Sequence, residues 1–202
     1  MTPSEKTKIT TDGQITKAVA NYRALLEKHA KEFNSKAVQA VLGQLEFADE
    51  VFTLFRKRVE AVSNLLIRCV KVNRNQKPQE AINATGRVQY VDNDVVASMP
   101  HGEGEDAEVV FFNLGRFIND NDLEKEYELR GLKPADPYSL AKVNEDDPSF
   151  ADTKPNATHW KDSSGKWCYI AFSRWSDDGR NVHVDRDDGY WNGYWWFAGL
   201  RK

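Results

Sequence analysis

Along the first third of the chain, apolar residues recur at three- and four-residue steps. Ile15, Val19, Tyr22, Leu25, Leu26 and Phe33 share one face of a helix that Thr11-Asp12 can cap and that runs to about Phe33. Asn34-Ser35 restarts a short helix through Ala37, Val38, Val41 and Leu42. Val51, Leu54, Phe55, Val62, Leu65, Leu66 and Cys69 then mark a longer helix from about Phe47 to Val70. Pro78 to Ala84 reads as a short helix ended by Gly86, and Val88 to Val91 as a short β-like run. The pattern predicts a disordered tail over 1–11 and a helical N-terminal region over 12–104. The apolar stripes of these helices can pack on each other or on a second copy, so a homo-oligomer through them is one expected partnership.

From Ala107 the rhythm changes. Glu108-Val-Val-Phe-Phe-Asn-Leu is rich in β-formers and reads as a strand. Asn119 to Asp122 cap a helix through Leu123, Tyr127 and Leu129, which Gly131 and Pro134 terminate. Asp136-Pro137 opens a second helix with Leu140 and Val143, the proline sitting where its missing N–H costs nothing. Asp146 to Thr158 is polar, carries two prolines and is expected to be a loop. Trp167 to Phe172, Arg180 to Arg186 and Trp195 to Leu200 read as strands, with turns near Ser164-Gly165, Asp178-Gly179 and Asp188-Gly189. The order strand, helix, helix, antiparallel strands predicts an α+β domain over 105–202.

Composition narrows the function classes. An apolar fraction of 40% over 202 residues is enough for a core, and a net charge of −3 argues against a general nucleic-acid binder. No apolar run reaches the ~18 residues a membrane span needs. No secretory signal is visible at the N-terminus, so a cytoplasmic location is expected. Cys69 and Cys168 lack metal or redox spacing and read as buried free thiols. No cofactor and no metal are expected.

The last stretch carries the candidate chemistry. All six tryptophans lie at or after Trp160, and four fall between Ser173 and Lys202. Between them sit Asp, Asn, Ser, Gly, His and Tyr, a mixture that offers large rigid contact area with adaptable hydrogen bonding. Val182 and Val184 alternate with Asn181, His183 and Asp185, so a strand would bury the valines and display the polar set on its other face. The candidate ligand-binding residues are Ser176, Asp177, Asp178, Asn181, His183, Asp185, Asp187, Tyr190, Trp191, Asn192 and Tyr194, with an unidentified protein as the expected ligand. Trp191 interrupts the polar run and is the tryptophan expected to be exposed. The competing reading is turn chemistry, because Asp178-Gly179, Asp188-Gly189 and Asn192-Gly193 are all hairpin signals.

From Ser173 to Tyr194 there is no Lys, Glu, Gln or Met, although the chain holds 16 Lys and 14 Glu. Apart from Trp175 and Trp191, every residue type in this window can arise by changing the two adenines of an Asn codon. The C-terminal pattern resembles the variable proteins of diversity-generating retroelements, and 108–202 resembles a C-type-lectin-like domain in element order. In that family an error-prone reverse transcriptase rewrites adenine positions in a C-terminal segment of a ligand-binding protein. The resemblance implies a non-enzymatic protein with a diversifiable surface held on constant strands. The family's Gly-Gly-Ser-Trp motif has no counterpart here, and the usual Gly-Phe-Arg ending is Ala198-Gly-Leu-Arg. The end Tyr194-Trp-Trp-Phe-Ala-Gly-Leu-Arg-Lys, with Leu132 to Tyr138 and His159 to Asp162, is also similar to an uncharacterised bacterial family.

Three other readings stand beside these. Asp185, Asp187 and Asp188 could hold calcium, although EF-hand spacing is missing. His159, Cys168 and Asp162 could form a nucleophilic site, against a buried thiol and a core histidine. The alternative to the ligand surface is a phage or host regulatory protein that inhibits a partner through its helical half.

Overall fold

The structure is a computed structural model, and it describes residues 10–60, 65–175, 179–186 and 190–202. The expected disordered tail lies, up to residue 9, outside the described residues. The chain divides into two compact units, Met1–Val59 and Glu60–Lys202.

The first unit is helical. Helix α1 (Asp12–His29) starts at Thr11, whose hydroxyl accepts the Gln14 backbone N–H at 3.3 Å while the Gln14 side chain accepts the Thr11 N–H at 2.9 Å. This reciprocal cap satisfies two donors that a helix start leaves open. A 3-10 turn over Ala30–Glu32 ends the helix a little before Phe33. Asn34 caps α2 (Ser35–Leu42), and α3 (Leu45–Glu60) follows. Neither α1 nor α2 buries a residue, so the stripe Ile15, Val19, Leu25 and Leu26 is exposed within this unit.

The second unit is α+β. Its elements are β1 (Leu65–Lys71), α4 (Pro78–Ala84), β2 (Val88–Val91), α5 (Asn93–Ala97), β3 (Asp106–Asn113), β4 (Ile118–Asn119), α6 (Asp120–Leu129), β5 (Leu132–Pro134), α7 (Pro137–Asp146), α8 (Phe150–Thr153), β6 (Asn156–Lys161), β7 (Trp167–Trp175), β8 (Gly179–Arg186), β9 (Tyr190–Trp191) and β10 (Trp196–Arg201). One sheet runs β1-β3-β10-β6-β7-β8-β2, with β5 also paired to β10. The pairs β10–β6 and β2–β8 are parallel and the other pairs of this sheet antiparallel. Strands β4 and β9 form a separate small ladder.

Alternation along the strands feeds two cores. From β3, Val109 and Phe111 join a core with Ile82 of α4, Val95 of α5, Leu140 of α7 and Phe150 of α8. Val110 and Phe112 join the other, with Leu123 and Tyr127 of α6 and Trp191 of β9. The central strands are thus buried on both faces, which is why β3 reads as a continuous apolar run.

Two expectations are corrected here. The helix expected from Phe47 to Val70 ends at Glu60, and Leu65–Lys71 is a strand paired with β3 from Phe112 back to Asp106. Leu66, Arg68 and Val70 face inward. An arginine at the middle inward position masked the period of two; its guanidinium sits 4.6 Å over the Phe150 ring. Strands β1 and β2 therefore belong with the second unit, and the boundary falls at 59–60, well before the expected 104–105.

The loop expected over 146–158 contains α8 and the start of β6. Polar side chains at buried positions hid that strand. Asn144 Nδ2 donates to Asn156 Oδ1 at 2.9 Å, and the Thr158 hydroxyl donates to the Ala135 carbonyl at 2.7 Å. Helix α5, capped by Asp92, was also not anticipated. Both cysteines are free, but only Cys168 is buried and Cys69 is exposed, because β1 turns it outward. Among the described residues no helix is long and apolar enough to cross a membrane.

Candidate ligand-binding pocket

The pocket is built on β7 and β8. Tyr169, Ala171, Ser173 and Trp175 occupy alternate positions of β7, and on β8 Ala171 pairs with His183 and Ser173 with Asn181. Val182 and Val184 are fully buried in the core on the opposite side. The polar face expected of this strand is therefore present, and His183 is the member that lines a cavity. Tyr190, Trp191, Tyr194 and Trp195 reach it from β9 and the turn beyond, and Asp120 from the first turn of α6. The cavity they line measures about 220 Å³.

The turn that carries Tyr194 is pinned. The Trp195 N–H donates to the Asn192 carbonyl at 3.3 Å, and Asn113 Nδ2 donates to the carbonyls of Gly193 and Trp195 at 2.9 and 2.8 Å. Gly193 lies so close to the 115–116 backbone that a Cβ there would sit 2.8 Å from Arg116 N. Asn192-Gly193 is thus a turn, as the alternative reading proposed, and it also sets Tyr194 and Trp195 at the cavity.

Beneath the aromatic wall lies a charged network. Asp120 is 5% exposed, and its Oδ1 accepts the Trp191 indole N–H at 2.9 Å and meets His159 Nδ1 at 2.6 Å. His159 Nε2 meets Glu124 Oε1 at 3.1 Å, and the ring stacks on Trp167 with centroids 4.5 Å apart. Burial alone would push the His159 pKa down, but hydrogen bonds to Asp120 and Glu124 together raise it above the usual histidine value. His159 is thus shared by two carboxylates, whose hydrogen bonds favour its protonated form. A larger cavity, about 610 Å³, lies on the His159 side and is lined in part by Glu124, Lys133, Lys161 and Trp167.

Burial pushes the His183 pKa down, with the Asp185 charge opposing in part, so His183 is neutral near pH 7. His183 stacks on Tyr90 with centroids 4.8 Å apart and packs against Trp175 at 5.0 Å. No Lys or Arg is among the described residues lining the pocket.

Of the candidate residues, His183, Tyr190, Trp191 and Tyr194 line one cavity. Trp191, expected to be exposed, is buried at 9%: its ring packs edge-on against Tyr169, Trp195 and Phe197 while its N–H reaches Asp120. The exposed tryptophan is Trp175. Asn181 is fully buried, and its Nδ2 donates to the Gly179 carbonyl at 3.2 Å. Asp185 is exposed and outside the cavity lining, and Asn192 is half-buried. Ser176, Asp177, Asp178 and Asp187 lie outside the described residues, as does the expected turn at Asp188-Gly189.

Asp120, Tyr169, Ala171, Ser173, Trp175 and Trp195 were missed. For Tyr169 to Trp175 the signal was the same alternation already read on β8. For Asp120 there was none, since a helix-start aspartate looks like an ordinary capping-turn residue.

His159 and Cys168 do not meet. Cys168 belongs to the core that α4, α5, α7 and α8 cover, while Asp162 is engaged by Ser164 and by Arg186 Nε at 3.1 Å. Among the described residues no group of three His, Cys, Asp or Glu is arranged to hold a metal; of the calcium candidates, Asp187 and Asp188 fall outside them. Compared with protein-family models, curated proteins and solved structures, the chain matches none.

Proposed function

We propose that this protein is a non-enzymatic ligand-binding protein whose recognition surface is the aromatic pocket of the Glu60–Lys202 unit. The observation that carries this reading is convergence. His183, Tyr190, Trp191 and Tyr194, chosen for composition and alternation, come together with Trp175, Trp195 and Asp120 around one cavity. Aromatic walls with a few placed polar groups are the ordinary make-up of a ligand site.

The finer reading is a C-type-lectin-like variable protein of a diversity-generating retroelement. It is supported by the order β3, α6, α7, then the antiparallel strands β6, β7 and β8. It is also supported by the position of Asp185, Tyr190 and Tyr194, which are exposed beside a buried scaffold of Val182, Val184 and Trp191. Asn181, being interior, stays constant on this reading. A cytoplasmic location, with Cys69 and Cys168 as free thiols, is part of the same proposal.

Two experiments test it. A thermal-shift screen across cationic, anionic and neutral small molecules, peptides and glycans should give binders that the double variant Tyr190→Ala/Tyr194→Ala no longer holds. Binders indifferent to both tyrosines would sink the pocket. Sequencing related loci should show codon changes confined to adenine positions within 173–194, near a reverse transcriptase. Divergence spread evenly along the chain would remove the retroelement reading and leave the pocket.

A second reading rests on the exposed apolar stripe of α1 and α2. Those helices would bind a second copy or inhibit a partner protein. A partner lost on deleting 12–59, and kept when 181–194 is scrambled, would favour it.

A further inference from the structure

We infer that the aromatic pocket takes a methylated ammonium headgroup, an organic cation of the choline type. This rests on the ligand-binding reading above and names the chemical class of its ligand. Tyr169, Trp175, Tyr190, Trp191, Tyr194 and Trp195 make up most of the lining, beside Ala171, Ser173, His183 and Asp120. The face of an aromatic ring is the negative pole of its quadrupole, and a cluster of such faces attracts a cation that sheds little hydration on entry. A quaternary ammonium meets that condition and needs no hydrogen-bond acceptors.

Charge points the same way. Among the described lining residues the one acidic side chain is Asp120, and burial holds His183 toward its neutral form. Asp120 Oδ1 is occupied by Trp191 and His159, whereas Oδ2 receives no hydrogen bond from any described residue. His159 is not devoted to Asp120, because it also meets Glu124. Asp120 thus places a carboxylate at the base of the pocket, and the ring it meets is divided between it and Glu124. An anionic ligand would meet that carboxylate with no Lys or Arg among the described lining residues to receive it.

Size fits a headgroup. About 220 Å³ is below the ~300–1,000 Å³ usual for pockets that enclose a drug-sized molecule. A small cation fits inside, with whatever it is attached to extending past Tyr190 and Tyr194, which are 77% and 57% exposed.

The test compares choline with its neutral isostere 3,3-dimethyl-1-butanol on the full chain, at matched ionic strength, by tryptophan fluorescence and calorimetry. Choline should bind saturably and the isostere at least about tenfold more weakly. Tyr190→Ala, at an exposed position, should weaken choline binding at least about tenfold, and Asp120→Asn should do the same if it folds. Equal binding of choline and isostere overturns the inference, as does absence of choline saturation at tens of millimolar. A neutral saccharide or peptide that binds in a Tyr190-dependent manner overturns the cation and leaves the pocket reading standing. If no binder from the broader screen depends on Tyr190 and Tyr194, both fall.

Discussion

Trp191 and Asp120, 71 residues apart, are joined by an indole N–H donated to a carboxylate oxygen at 2.9 Å, and both groups are buried. This bond ties the small β4–β9 ladder to the start of α6. It also fixes which oxygen of Asp120 is engaged, leaving Oδ2 without a hydrogen bond from any described residue. Because His159 uses the same oxygen, removing the carboxylate strands two buried donors at once.

Asp120→Ala should therefore be costly. Breaking a buried charged pair by deleting one partner typically costs about 3–5 kcal/mol, because the other charge stays buried. Glu124 still faces His159, so the low end of that range is expected. Urea denaturation of the variant against the parent measures it, and a loss under about 1 kcal/mol would mean that the network does not stabilise the fold.

His159 makes stability depend on pH. Its folded pKa is raised above the unfolded value, so its contribution is fully present below about pH 6.5 and fades as pH rises through the folded pKa. His183 is shifted the opposite way, and its contribution is present above about pH 6.5 and lost as pH falls. Subtracting the melting curve of His159→Gln isolates the first effect. The gap between parent and variant should be widest near pH 6 and should narrow toward alkaline pH. A gap that widens with pH would reverse the sign argued here.

What could be read from the sequence follows from whether polarity agreed with burial. On β8, Val182 and Val184 point into the core and polar residues point away, so the alternation and its functional face were legible. On β1 and β6 the inward positions include Arg68, Asn156, Thr158 and His159, each in contact with a partner elsewhere along the chain. No local pattern reveals such partners, and both strands were misread. Trp191 failed for a related reason: its polar neighbours in sequence suggested exposure, but its own N–H had a buried acceptor in α6.

The exposed tyrosines and the buried tryptophan should separate binding from folding. Tyr190→Ala and Tyr194→Ala remove side chains that stand largely in solvent, and each should change stability by no more than about 0.5 kcal/mol. Trp191→Ala removes a ring packed among Tyr169, Trp195 and Phe197 and should cost about 3–5 kcal/mol. Paired denaturation and ligand titration on the three variants would show binding lost in all, with stability lost only in the last. A Tyr190 variant that unfolds early would contradict the assignment of that ring to recognition.

The Glu60–Lys202 unit should fold without the helices before it. Every residue of both buried clusters lies between Leu66 and Ala198. A fragment covering 60–202 should keep a cooperative thermal transition and the ligand affinity of the full chain. Loss of the transition would show that the Glu60–Lys202 unit does not fold on its own.

At Gly193 a close backbone approach and the pocket geometry meet. A Cβ added there would lie 2.8 Å from Arg116 N and from the Gly115 carbonyl carbon, both backbone atoms that cannot swing aside. Gly193→Ala must push the 192–195 turn away from the 115–116 segment, and overpacking of this kind costs about 1–3 kcal/mol. The displacement also pulls on the two hydrogen bonds from Asn113 and shifts Tyr194 and Trp195, which follow the glycine and line the cavity. The variant should thus lose affinity for any pocket ligand beyond what its modest destabilisation explains, since the folded population stays near complete. Calorimetric titration well below the melting temperature reads this directly. Parent-like affinity in Gly193→Ala would show that the turn does not set the aromatic wall.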